Sequence, residues 1–136
     1  EESVSDEKSV SLGCKVLVAE DNPTNRQLME IYLDKLGVTY TMVENGEQAV
    51  MAYTREKFDA ILMDINMPLL NGFETTRLIR NKNITTPIIA LTAFDKEEIS
   101  EEAISAGMND IIIKPFDQSK LFKAMSTLIY DAKNVG

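Results

Sequence analysis

The chain contains no histidine. That excludes imidazole acid–base chemistry, imidazole metal ligation and any phosphohistidine carried on this chain. A histidine that takes part in its biology has to come from a partner. Cys14 is the only cysteine, which excludes an internal disulfide and fits a reducing, cytoplasmic setting. Ahead of the first apolar run it reads as a small buried hydrophobe. No apolar run approaches the ~20 residues that span a bilayer and no secretory leader is visible, so direct membrane contact is not expected. Basic residues are also scarce, 14 Lys and Arg against 22 Asp and Glu, a net charge of −8. A nucleic-acid groove needs clustered Lys and Arg, so that partner is excluded. A bound cation would balance part of the excess.

What is present fits one globular domain. The 136 residues are 44% apolar and 26% charged, enough for a real core and too few for two domains. Glu rather than Met at position 1 suggests a piece excised from something longer. Residues 1–13, polar and acidic, read as a flexible leader or linker. Residues 14–131 read as the folded domain and 132–136 as a short tail.

Strand and helix patterns alternate through that domain. Apolar runs predict strands at Lys15–Ala19, Val38–Val43, Phe58–Met63, Pro87–Leu91 and Asp110–Ile113. The second carries Thr residues suited to an edge, and the third is nearly all apolar, hence central. Asn22-Pro23 supplies an N-cap and first helical residue, and Gly37 a stop. Further helices are expected after Asn45-Gly46, over Phe73–Asn81, over Asp95–Ala106 before Gly107, and over Gln118–Tyr130. Five such units imply a doubly wound α/β sandwich with a parallel sheet and right-handed crossovers.

In that architecture the C-terminal strand ends share one edge, where such folds place their sites. Here those ends carry Glu20-Asp21, Asp64, Thr92 and Lys114. Adjacent carboxylates repel unless a cation sits between them, and hard oxygen ligands suit Mg²⁺, with Mn²⁺ the alternative. Asp64 ends the most apolar strand, and aspartate can act as a nucleophile toward phosphorus. The carbonyl of Asn66 lies two residues on, in reach of the same cation. Lys114 can pair with the acids or with a phosphoryl group, and the Lys114–Pro115 bond is a candidate for the cis form. Thr92 can donate its hydroxyl to a phosphoryl oxygen.

Taken together, the acidic pair, Asp64, Thr92 and Lys114-Pro115, in this order and spacing, resemble the receiver domain of two-component response regulators over roughly Lys15 to Tyr130. Glu20-Asp21-Asn22-Pro23-Thr24-Asn25 and Met67-Pro68-Leu69-Leu70-Asn71-Gly72 are similar to receivers of hybrid histidine kinases. The resemblance implies a flavodoxin-like, five-stranded parallel sheet of order 2-1-3-4-5 with five helices; that order is the standard example for the chemotaxis member of the family. It further implies that Asp64 accepts a phosphoryl group from phosphohistidine on a kinase or phosphotransfer domain. Asp21, Asp64 and the Asn66 carbonyl would ligate Mg²⁺, with Glu20 acting through water. Lys114 would pair with the phosphoryl group and Thr92 would swing toward it. The domain would modify itself rather than act as an enzyme, with slow self-hydrolysis tuned by Phe94 and Asn66. One departure is Ile111, where the family usually has Tyr or Phe; the way the signal leaves the site is therefore open.

Rival readings share parts of this pattern. A metal-dependent phosphohydrolase with an aspartyl nucleophile would want an acid at Asn66 for proton transfer. An FMN carrier would want a neutral phosphate loop where Glu20-Asp21 stands. A degenerate receiver acting only as a binding module would not need Asp64, Thr92 and Lys114 intact.

Overall fold

Five strands and five helices alternate, as the apolar periodicity predicts. The computed structural model describes residues 14–67, 70–82 and 84–135, with side chains to residue 129. The expected leader, 1–13, and Pro68 and Leu69 of the loop after Asp64 lie outside the described residues.

In chain order the elements are β1 (Lys15–Ala19), α1 (Pro23–Leu36), β2 (Thr39–Val43), α2 (Gly46–Arg55), β3 (Ala60–Asp64), α3 (Gly72–Asn81), β4 (Ile88–Thr92), α4 (Lys96–Ala106), β5 (Asp110–Ile113) and α5 (Gln118–Val135). All pairings are parallel, in the order β2-β1-β3-β4-β5. The central strand β3 is buried at every position, whereas the edge strand β2 is not fully buried at any. Burying each large aliphatic of β3 contributes roughly 1.5–3 kcal/mol.

Period-two alternation sorts the sheet residues between two cores. Leu17, Ala19, Ile61, Met63, Ile88 and Ala90 pack beneath α2, α3 and α4. Val16, Val18, Ala60, Leu62, Ile89, Leu91 and Ile112 pack beneath α1 and α5, together with the buried Cys14. The sheet is therefore covered on both faces, and the loops at its C-terminal edge are left to build a site.

Local chemistry accounts for the helix ends. The Asn22 side chain accepts from the Asn25 N–H, with Pro23 in the first turn, and Gly37 closes α1 at φ 72°. Asn71 and Glu74 form a reciprocal capping box on α3. Several boundaries differ from the periodicity-based expectation. β3 starts at Ala60 rather than Phe58; the Asp59 N–H still donates to the Lys15 carbonyl (2.7 Å), but the Lys15 N–H goes to the Asp59 carboxylate (2.9 Å) rather than to a backbone carbonyl. β4 starts at Ile88, since Pro87 has no N–H to give; its carbonyl still accepts from Ile61 (2.9 Å). β2 starts one residue later than expected, and α5 runs on to Val135.

Candidate functional site

Register decides which side chains meet at the C-terminal edge. Ala19 pairs with Met63, so Glu20 stands level with Asp64 on the neighbouring strand. Asp64 pairs with Leu91, which sets Thr92 one residue beyond it, and Thr92 pairs with Ile113. Lys114 follows, tied to β4 by its own N–H on the Thr92 carbonyl (2.6 Å). Parity adds a second level of order. Glu20, Asp64 and Lys114 continue the α1/α5-facing sets of their strands, whereas Thr92 continues the set facing α2–α4.

Lysine is long enough to cross the intervening strand. The Lys114 ammonium lies 3.2 Å from Glu20 Oε1 and 3.5 Å from Asp64 Oδ2. Two carboxylates thus share one cation. Both are buried, Glu20 at 1% exposure and Asp64 at 3%, so solvent does little to screen their repulsion. The Asp64 carboxyl responds by holding its proton to a pKa of about 7. Burial is the largest cause, and the Glu20 carboxylate adds to it. Lys114 and the Asn66 N–H, which donates to Asp64 Oδ1 at 3.1 Å, pull the other way without prevailing.

Glu20 is held by the start of α1. Its Oε2 accepts from the Asn22 N–H (3.3 Å) and Asn25 Nδ2 (3.4 Å), and its carbonyl accepts from Arg26 (2.9 Å). Sequence reasoning gave Asn25 and Arg26 no such part. Their position in the first turn after the acidic pair was the available signal, because side chains there can reach back over the helix N-terminus. Asp21, of opposite parity, is exposed.

Carboxylate oxygens of Glu20, Asp21 and Asp64 lie within 4.8 Å of one another. An all-oxygen set, with two of its members buried and short of positive charge, fits a hard divalent cation. Thr92 is fully buried at the rim, and its Oγ1 accepts the Phe94 N–H at 3.0 Å. Phe94, two residues beyond Thr92, is 45% exposed. Asn66 is exposed and meets Asp64 through its N–H. The Lys114–Pro115 bond is cis. Ile111, by contrast, sits mid-strand beside Ala90, against the core under α2–α4. The candidate site residues Glu20, Asp21, Asp64, Asn66, Thr92 and Lys114 therefore gather at one edge.

Known proteins resemble this chain over most of its length. The chain is 39% identical over 124 residues to a hybrid signal transduction histidine kinase of Dictyostelium discoideum, covering 85% of this chain and 7% of the kinase. It is 36% identical over 120 residues to a two-component response regulator of Arabidopsis thaliana, covering 86% of this chain and 84% of the regulator. The chain spans no more than 15% of the first curated relatives it matches. Among solved structures, the receiver domain of a sensor histidine kinase from Pseudomonas aeruginosa superposes with a TM-score of 0.81 at 41% identity. That match covers 87% of this chain and 98% of the other, which holds a magnesium ion in its active-site cleft. Residues 16–126 match the family described as the response regulator receiver domain, and the chain belongs to that family as a receiver domain of two-component signalling.

Proposed function

We propose that Asp64 is the phosphoacceptor of this receiver domain and takes its phosphoryl group from phosphohistidine on a histidine kinase or phosphotransfer domain. One observation carries the reading. Asp64 is a buried carboxylate facing a second buried carboxylate, with a single ammonium between them. Structural ion pairs do not need that surplus of negative charge; a site that receives a cation and a phosphoryl group does.

An Asp64 carboxylate oxygen attacks phosphorus, and the new O–P bond forms as the P–N bond of phosphohistidine breaks. The imidazole leaves with a proton taken from water. Lys114 moves its ammonium from the carboxylates onto the phosphoryl oxygens. Thr92 turns its hydroxyl away from the Phe94 N–H to donate to one of those oxygens. Mg²⁺ held by Asp21, Asp64 and the Asn66 carbonyl, with Glu20 in support, would keep Asp64 ionised and offset charge on the transferring group.

Turning Thr92 loosens the junction of β4 with α4, so the signal leaves through the face of α4, β5 and α5. Ile111 gives that face no aromatic ring to rotate, which favours a domain that relays phosphoryl groups within a hybrid kinase in the cytoplasm. Self-hydrolysis is slow because the Phe94 ring screens the attacking water. Phe94→Ala is expected to shorten the aspartyl-phosphate half-life, read by the decay of intact mass; an unchanged half-life removes Phe94 from this role.

The test of the main reading is intact mass after incubation with acetyl phosphate. A single phosphoryl gain that requires Mg²⁺ and is absent from Asp64→Asn supports it. A gain that survives in Asp64→Asn contradicts it.

A further inference from the structure

Lys114 is fixed at its two ends, by its N–H on the Thr92 carbonyl and by its ammonium on Glu20 and Asp64, with a long flexible stem between them. Its side chain carries several free rotations, and a cavity of about 110 Å³ lies between it, Pro115 and the α1 residues Leu28 and Met29. Packing therefore leaves the ammonium room to swing away from the carboxylates. In the loop that follows, Pro115 has no N–H to donate, and Asp117 is bonded to the first turn of α5.

Tyr32, in the third turn of α1, supplies a further anchor. Its hydroxyl donates to the Phe116 carbonyl at 3.1 Å. Its ring meets the Phe116 ring at 6.1 Å between centroids, tilted by 49°. The bond links residues 84 positions apart in the chain and joins α1, whose first turn holds Glu20, to the loop that starts at Lys114. One rigid helix thus references both ends of the Glu20–Lys114 pair. We infer that Tyr32 is a positioning residue, which keeps the Lys114 ammonium over Glu20 and Asp64 by tethering Phe116 to α1. The inference rests on the phosphoacceptor reading above.

Tyr32→Phe removes only the hydroxyl and keeps the ring, so the core under α1 stays filled. Acetyl phosphate with saturating Mg²⁺ takes any partner protein out of the measurement. The acetyl O–P bond breaks as the Asp64 O–P bond forms, and acetate leaves. Tyr32→Phe is expected to slow phosphoryl gain by about threefold or more, the scale of one lost hydrogen bond. In a Lys114→Met background the same change is expected to add nothing, because it acts through Lys114; a merely structural role would slow both backgrounds alike. Amide exchange at Lys114 and Phe116 should quicken in Tyr32→Phe while β1 stays protected. Equal slowing in both backgrounds, no slowing in the first, or unchanged exchange at Phe116 would each overturn the inference. If the parent chain gains no phosphoryl group at all, the phosphoacceptor reading has failed instead, and the exchange measurement still reports whether Tyr32 tethers the loop.

Discussion

The two ends of the sheet each pair a lysine with a carboxylate, and the two pairs behave in opposite ways. At the N-terminal edge Lys15 bonds Glu56, both about one-third exposed, and Thr41 adds a hydroxyl. The Glu56 carboxyl is lowered from its ordinary value, chiefly by the Lys15 hydrogen bond. At the C-terminal edge Lys114 faces Asp64 and Glu20 together, both buried, and the Asp64 carboxyl rises to about 7. The contrast follows from counting charges and water. One acid with one base in solvent is a settled pair of small worth. Two buried acids with one base are short of a positive charge, and the proposed phosphoacceptor site rests on that shortage.

Removing the surplus should show the cost most clearly. Without Mg²⁺ at pH 8, Asp64→Asn is expected to raise stability, by on the order of a few kcal/mol, because the folded state holds the Asp64 proton to about 7 against an ordinary 3.8. Denaturant unfolding measures it. A destabilised variant would mean that Lys114 already balances Asp64.

The C-terminal edge is also closely packed in its backbone at Gly72. A Cβ on Gly72 would come within 2.6 Å of the Asp64 carbonyl oxygen and 2.8 Å of Ile65 Cα. Gly72→Ala is therefore expected to cost about 1–3 kcal/mol through overpacking and to disturb the loop beside Asp64. Thermal unfolding with and without Mg²⁺ checks both effects; wild-type behaviour would show that the loop yields freely.

The pH dependence sharpens the comparison further. Asp64 holds its proton more tightly in the folded state, about 7 against an ordinary 3.8. Its ionisation therefore costs nothing below pH 4 and lowers stability progressively as pH rises toward 7. A cation bound to the carboxylates removes that penalty. Mg²⁺ at roughly tenfold its Kd should stabilise the protein by about 1.4 kcal/mol at pH 8 and by much less at pH 5. A Mg²⁺ effect equal at both pH values would separate the cation from Asp64.

At the opposite edge the sign reverses. Glu56 contributes stability above its ordinary range, lost as pH falls through its lowered value. Glu56→Gln should produce only a small drop in Tm near neutral pH and leave the phosphoryl gain unchanged. A loss of phosphorylation would mean that the two edges communicate.

Much of this was legible in the chain because alternation of strand and helix patterns forces all strand ends onto one edge. Glu20, Asp21, Asp64, Thr92 and Lys114 could be grouped from sequence for that reason alone. Which of the adjacent acids turns inward was less apparent, although parity held the answer: position 20 continues Val16 and Val18, which face α1 and α5. Strand starts slipped by one or two residues where a side chain or a proline replaced a ladder bond, as at Asp59 and Pro87. The Tyr32–Phe116 tether was hidden for a different reason. It joins residues distant in sequence, and at helical spacing a tyrosine on α1 reads simply as a core residue.

The central claim is that Asp64 itself carries the phosphoryl group. Reducing the phosphorylated protein with borohydride and mapping the peptides locates it directly, because an aspartyl phosphate becomes homoserine. Homoserine at position 64, dependent on Mg²⁺, is the predicted result. Modification at Glu20 or Asp21, with Asp64 recovered intact, would contradict the account.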